Sequence, residues 1–303
     1  VTASAASVRV RTPATSANLG PGFDALGLAL DLHDEVEVTA RFGGRSTPVE
    51  VTVEGEGAAT VPRDERHLVV RSLRATFAEL GGEQPSALTL RCRNALPHGR
   101  GLGSSAAAIV AGVVAARALT GLTTHDDALA TADRIEGHPD NVAACLLGGL
   151  TVAWRDDAGA ARATRVDVHP DVAPVVCIPS FEVSTEKARG LLPDTVPHAD
   201  AAANAGRAAL LVHALGHRPD LLLDATADRL HQHYREPAMP ATFELVTALR
   251  AEGMAAVVSG AGPTVLVLGA GAGTARIREL AQGWDVRPLQ VDTRGVVVDY
   301  ATV

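Results

Sequence analysis

The sequence predicts an α+β protein built from two domains. Three observations carry that prediction. A length of 303 residues suits two cores of ordinary size better than one. Hydrophobic residues make up 47% and charged residues 20%, enough apolar surface for a sizeable core and too little charge for wholesale disorder. Strand and helix signals come in runs, without the strict alternation that a parallel α/β sheet needs.

The elements follow in order. Val8 and Val10, Val36 and Val38, then Val49, Val51 and Val53 alternate with polar residues, the period-two pattern of half-buried strands. Val70, Leu73, Phe77 and Leu80 fall at helical spacing, and Gly81-Gly82 ends that helix. Leu88, Leu90 and Cys92 make a further strand that leads into a loop over 94–103. Ser104-Ser105 opens an Ala/Val-rich helix to Leu119, which Gly121 stops. Helices are expected over about 126–136 and from about Asn141 to Gly148-Gly149, followed by a strand over 150–154. The polar stretch 155–165 divides the chain into domains at 1–160 and 161–303. Beyond it come strands at 166–168 and 174–178, and helical segments over 199–234 and 242–251. Val257-Val258 and 265–268 read as strands around a tight glycine turn, Ser259-Gly-Ala-Gly-Pro-Thr264. A helix from Thr274 and strands near Gln290 and over 296–298 complete the chain.

Composition excludes several function classes. With 27 basic and 35 acidic residues the net charge is −8, which disfavours a nucleic-acid partner. A small anionic substrate is compatible, because a local pocket can be positive inside an acidic protein. Lys187 is the only lysine, so lysine-dependent chemistry has one candidate. Cys92, Cys145 and Cys177 lie far apart without a CxxC pair, which fits a reducing cytoplasm rather than a disulfide framework or a zinc site. The segment 1–8 lacks the basic and apolar regions of a signal peptide, and the apolar run 106–116 is too short to span a bilayer. No membrane partner is expected.

Four loops bear chemistry. The first is Pro97-His98-Gly99-Arg100-Gly101-Leu102-Gly103-Ser104-Ser105-Ala106-Ala107, with glycines at alternate positions between a strand and a helix. Glycine allows close backbone approach, and the following helix offers unpaired N–H groups and a positive dipole end, which favour phosphate. The plainer alternative is a strand-to-helix turn capped by Ser104. It is not a Walker A loop, which needs a lysine. The second is Glu136-Gly137-His138-Pro139-Asp140-Asn141, whose hard oxygens at a bend suit Mg²⁺; the alternative is a helix stop and restart capped by Asp140 or Asn141. The third, Pro13 through Asn18 and Asp24 to Gly27, places two polar anchors in a glycine-proline loop. The fourth is the turn from Ser259 to Thr264.

Together these segments resemble the GHMP kinase superfamily. Residues 97–107 match the phosphate-loop pattern P-x-x-x-G-L-G-S-S-A-A at every fixed position. The first motif, PATSANLGPGFDALGLAL, and the central EGHPDNVA are similar to the branch that phosphorylates L-homoserine. The resemblance spans nearly the whole chain. It implies an amino-terminal domain of the ribosomal-protein-S5 type and a ferredoxin-like carboxy-terminal domain, with ATP and substrate between them. It implies transfer of the γ-phosphoryl group to the side-chain hydroxyl of L-homoserine. Residues 97–107 would bind ATP, with Ser105 and Glu136 as Mg²⁺ ligands. Ser105, Glu136 and Asn141 would be the catalytic set.

Homoserine is a zwitterion. Asp24 is matched to its ammonium, and Arg189 and Arg235 to its carboxylate. Asn18 and Asn141 would orient the hydroxyl end, His138 would line the pocket, Thr185 would approach the γ-phosphate, and Gly260 would close the substrate side. Family members usually carry asparagine where this chain has His67, which leaves the adenine contact open. Mevalonate-type relatives use a lysine-assisted aspartate near the first motif; no lysine stands there, and Asp140 is expected to be structural, as a helix cap. A homodimer is the expected assembly. A relative acting on another alcohol, and a non-catalytic relative, are the rival readings.

Overall fold

The computed structural model describes residues 4–122, 127–269 and 273–301. Alternating valines draw the first sheet together. Val8, Val10, Val36 and Val38 are all buried, and they lie on β1 (Ser4–Ala17) and β2 (Leu26–Phe42), which pair antiparallel along nearly their full length. β3 (Glu50–Gly55) crosses over through α1 (Leu68–Glu79) to lie parallel to β4 (Ala87–Asn94). α2 (Ser104–Leu119) is buried almost all round, with Ile109, Val110, Val113 and Val114 at most 2% exposed. Each such side chain stabilises the core by about 1.5–3 kcal/mol relative to an exposed one. That helix is therefore the axle of the first unit, packed between α1 and β1.

α3 (Ala128–Glu136) and α4 (Pro139–Leu147) follow, separated by left-handed Gly137. The expected start of α3 at Asp126 lies outside the described residues. β5 (Leu150–Arg155) and β6 (Ala161–Val166) form a hairpin that joins the first sheet through β2. The expected division at 160–161 falls inside this hairpin. Its two strands pair from Leu150–Val166 to Arg155–Ala161, so the chain stays with the first sheet through Val166. Polarity marked the segment as solvated; it did not distinguish an edge hairpin from a linker.

The second unit begins with β7 (Val175–Ile178), then α5 (Thr185–Arg189) and α6 (His198–His217). The region expected to be largely helical is broken after α6 into a 3₁₀ turn, α7 (Leu222–Ala225) and α8 (Gln232–Arg235). α9 (Pro240–Ala251), β8 (Ala255–Val258), β9 (Val265–Leu268), α10 (Thr274–Leu280) and β10 (Asp285–Pro288) complete it. The four strands are ordered β10-β7-β9-β8. Renumbered within the unit, that order is 4-1-3-2, all antiparallel, the ferredoxin-like arrangement.

The chain then returns to the first sheet. Gln290 lies in no strand; its N–H donates to Asp31 (2.6 Å), and Val291 bridges Leu30. β11 (Val297–Ala301) pairs with the outer edge of β1. The class is α+β, as expected, and loops and helix starts from both units line a shared cleft. No helix among the described residues is long and apolar enough to cross a membrane.

Candidate active site

The glycine loop ends β4 and opens α2. Gly99, Gly101 and Gly103 all have positive φ, at 64°, 74° and 70°. A Cβ on Gly101 would collide with the carbonyls of Ser259 and Gly262, and one on Gly103 would collide with the Thr15 hydroxyl. Conformation and crowding thus require glycine at both positions. Gly103 is the N-cap of α2 and no side chain caps it; Ser104 is the first helical residue. The alternative of a turn capped by Ser104 does not occur. The helix start keeps its anion-receptive amides.

The loop is fastened from behind. Ser259 Oγ donates to the Gly101 carbonyl (2.6 Å), the Thr15 amide to that of Leu102 (3.1 Å), and the Thr264 amide to that of Arg100 (3.3 Å). Arg100 turns away from the cleft: its guanidinium donates to the carbonyls of Pro179, His98 and Ser180 and lies 3.5 Å from Glu182. Leu102, Ala106 and Ala107 are buried, so these residues shape the loop through packing.

Beside the helix start, Ser105 Oγ donates to Glu136 Oε1 at 2.7 Å. Glu136 ends α3, where Gly137 reverses the chain toward α4. Burial raises the Glu136 carboxyl above its ordinary range, opposed by the Ser105 bond and by His138. His138 Nδ1 lies 3.5 Å from Asp140, whose carboxylate raises the imidazole pKa. Asp140 is buried in the first turn of α4 and accepts the Asn141 amide at 2.7 Å. His138 occupies the N-cap position, so Asp140 braces the first turn without being the cap. Asn141 Oδ1 accepts the Thr15 hydroxyl at 2.7 Å. Ser105 and Glu136 present hard oxygens side by side, a donor pair suited to a small divalent cation that takes its other ligands from phosphate and water. No cluster of three or more His, Cys, Asp or Glu among the described residues could hold a metal ion by itself.

On the opposite wall, Asn18 Nδ2 donates to the Gly260 carbonyl (2.9 Å), and Asn18 Oδ1 accepts the Asp24 amide (3.0 Å). Its side chain therefore braces the loop 18–24 against the second unit. Asn18, Leu19 and Asp24 hold positive φ (69°, 51° and 53°), a conformation uncommon for residues with a Cβ. Asp24 forms a two-pronged ion pair with Arg189, at 2.6 Å and 3.2 Å. The two groups matched to opposite ends of a zwitterion thus neutralise each other. Arg235 is 1% exposed, and its guanidinium donates to the Gly260 carbonyl (3.1 Å). Burial, reinforced by Arg189, lowers it to about 10, so it remains cationic at neutral pH. Both guanidinium groups lie over the Phe23 ring, at 5.7 Å and 5.6 Å.

Most of these residues line one cleft. It brings together Asn18, Gly99, Gly101, Gly103, Ser104, Ser105, Glu136, His138, Asn141, Thr185, Arg189, Arg235 and Gly260. Asp24 is not in its wall and reaches it through Arg189; Pro97, Arg100, Leu102 and Ala106 also lie outside. An apolar cavity adjoins it, sharing Ser104 and Ser105 and lined further by His98, Ala107, His67 and Asp34. Thr15 and His231 support the site without being legible as site residues in the sequence. Thr15 sits inside the first motif but is ordinary as a strand residue; His231 precedes Arg235 by one helical turn, a spacing that could have flagged the pair.

Two family models match the chain: GHMP kinases N terminal domain over residues 67–149, and GHMP kinases C terminal over 207–284. The chain is 59% identical to the homoserine kinase of Streptomyces avermitilis, over 97% of this chain and 96% of that protein. It belongs to the homoserine kinase family of GHMP kinases. The homoserine kinase of Streptomyces coelicolor is likewise 59% identical over 97% of this chain and 95% of that protein. The crystal structure of homoserine kinase from Cytophaga hutchinsonii superposes with a TM-score of 0.84 at 30% identity, covering 97% of each chain.

Proposed function

We propose that this protein transfers the γ-phosphoryl group of ATP to the side-chain hydroxyl of L-homoserine, giving O-phospho-L-homoserine for threonine synthesis. The observation that carries the reading is the composition of this cleft. An uncapped helix start and the Ser105–Glu136 pair line one side, and Arg189 and Arg235 line the other.

The amides of Gly99 to Ser105 would cradle the phosphates, and the adjoining apolar cavity would take the base, with His67 in its wall. Ser105 and Glu136 would hold Mg²⁺, which when bound offsets phosphate charge. Arg189 and Arg235 bind the substrate carboxylate, and Asp24, released from its pairing with Arg189, binds the ammonium. Asn141, held by Thr15, orients the hydroxyl, with His138 beside it and Thr185 toward the transferred group. Asn18 and Gly260 act together to hold the substrate wall. Positioning of this kind supplies most of the rate in phosphoryl transfer, whose loose transition state needs little proton removal beforehand.

We read the catalytic unit as a nucleotide-binding lobe through Val166 and a substrate-closing lobe beyond it. Buried, unpaired Cys92, Cys145 and Cys177 support a reducing, cytoplasmic setting. A homodimer is our proposed assembly, checked by sedimentation.

ADP release measured with L-homoserine, mevalonate and L-serine tests the assignment. Turnover is expected with homoserine far above the others, and its absence with ATP and Mg²⁺ overturns the reading. Glu136→Gln is expected to cut kcat at least about tenfold and raise the Mg²⁺ concentration for half-activity; unchanged Mg²⁺ dependence would remove Glu136 from the metal site.

A further inference from the structure

The two cleft arginines are engaged differently. Arg189 turns both terminal nitrogens to Asp24. Arg235 uses one terminal nitrogen twice: Nη1 lies 3.0 Å from His231 Nδ1 and 3.1 Å from the Gly260 carbonyl. A guanidinium only donates, so His231 Nδ1 must be a lone-pair acceptor. His231 Nε2 lies 2.7 Å from the Gly20 carbonyl, which only accepts, so Nε2 carries the hydrogen. The two neighbours together fix the neutral Nε2–H tautomer. An imidazolium would have no acceptor to offer Arg235.

The surroundings agree. The ring is fully buried and stacks on Phe23 at 5.1 Å. Burial pushes its pKa down to about 4, against the opposing pull of Asp228, whose carboxylate stands 3.8 Å away. Asp228 is itself engaged by the amides of Leu230, His231 and Gln232 at the start of α8. With both hydrogens of Nη1 engaged, Arg235 keeps Nε–H and the Nη2 hydrogens for a ligand. The Nε–H is buried and has no partner among the described residues. These adjacent donors form a side-on fork matching the two oxygens of a carboxylate.

We propose that His231 is the positioning residue of the carboxylate site. Its Nδ1, with the Gly260 carbonyl, holds Nη1 of Arg235 and leaves the Nε–Nη2 edge for the substrate carboxylate. Its Nε2–H holds the loop 18–24 through Gly20. One imidazole thereby couples the loop bearing Asp24 to the arginine at the other end of the substrate. The inference rests on Arg235 being a carboxylate ligand.

Asparagine retains an acceptor near the Nδ1 position, whereas glutamine reaches the Nε2 position and removes that acceptor. In the full-length enzyme, His231→Gln is expected to raise KM for L-homoserine about ten- to a hundredfold, the scale of a hydrogen bond to a charged group. KM for ATP should stay within about twofold, and His231→Asn should stay within about fivefold of wild type for homoserine. The discriminating readout is 3-aminopropan-1-ol, which has the ammonium and hydroxyl but no carboxylate. His231→Gln should narrow the preference for homoserine over this amine, because the amine never used Arg235. Equal losses on both substrates, or no loss on either, overturn the proposal. If Arg235→Gln leaves KM for homoserine unchanged, the carboxylate reading itself fails. If Arg235→Gln raises it while His231→Gln does not, only the positioning role fails. Should His231→Gln not fold, nitrogen NMR of the wild-type imidazole still decides: the Nε2–H form is expected from about pH 5 to about pH 8, and an Nδ1–H form overturns the proposal.

Discussion

Buried Asp34 accepts the amides of Ala95 (2.7 Å) and Leu96 (2.9 Å), fixing the chain as it leaves β4 for the glycine loop. Burial outweighs those bonds and raises its carboxyl from 3.8 to about 6. Between those values the folded state keeps a proton that the unfolded state has released. The contribution to stability is thus complete below the lower value and lost as pH rises through the upper one. Asparagine keeps the acceptor without the charge. Asp34→Asn should therefore stabilise the protein by roughly 2–3 kcal/mol near pH 7.5, with most of the gain gone near pH 4. Thermal unfolding at both pH values measures this, and an equal gain at both contradicts it. Asp140 presents a different case. Its carboxylate is occupied by the Asn141 amide and faces His138, so Asp140→Asn should retain at least about a tenth of kcat. A loss of several hundredfold would identify it as a base instead.

Among the elements, the start of α2 couples backbone conformation to the site. Gly103 is left-handed and packs against Thr15, which in turn holds Asn141. Gly103→Ala strains the backbone by about 1–2 kcal/mol and displaces the Thr15 hydroxyl. The expected result is a fall in kcat/KM for ATP of about a hundredfold, with α2 still formed, since small misplacements weigh heavily on oriented transfer. Steady-state kinetics with far-UV circular dichroism separates the two. Near-normal kinetics would mean that the loop adapts.

For the whole molecule, the chain's return to the first sheet ties the two units together. β11 covers the outer edge of β1, Asn204 donates to the Pro21 carbonyl (2.7 Å), and the Gly260 amide donates to Ala17 (3.0 Å). The first tryptophan, Trp154, reports on the first sheet and Trp284 on the second unit. Single-tryptophan variants should unfold at one common midpoint, as expected of a cooperative unit. Deleting residues 296–303 should lower that midpoint by at least about 4 °C and impair ATP binding, because it uncovers the strand leading to Thr15. Two separated transitions in the intact chain would mean that the units are independent.

The parts legible in the sequence are those set by local chemistry. Alternating valines specify strands, Ser104 to Leu119 a helix, and glycines at 99, 101 and 103 a loop free to adopt positive φ, which it does at all three. The glycine and EGHPDNVA segments are legible by the same locality, and the fold brings both into one cleft. In the hairpin, β5 is legible as a strand over 150–154 and β6 is not, since a polar stretch reads alike whether it is a linker or an edge strand. Only the tertiary structure decided that Asp24 and Arg189 pair across 165 positions, that Asn18 is a brace for Gly260, and that His231 joins Gly20 to Arg235. Such bonds depend on which distant segments are brought within about 3 Å of one another. That is a property of how the two units pack, and no period or spacing along the chain encodes it.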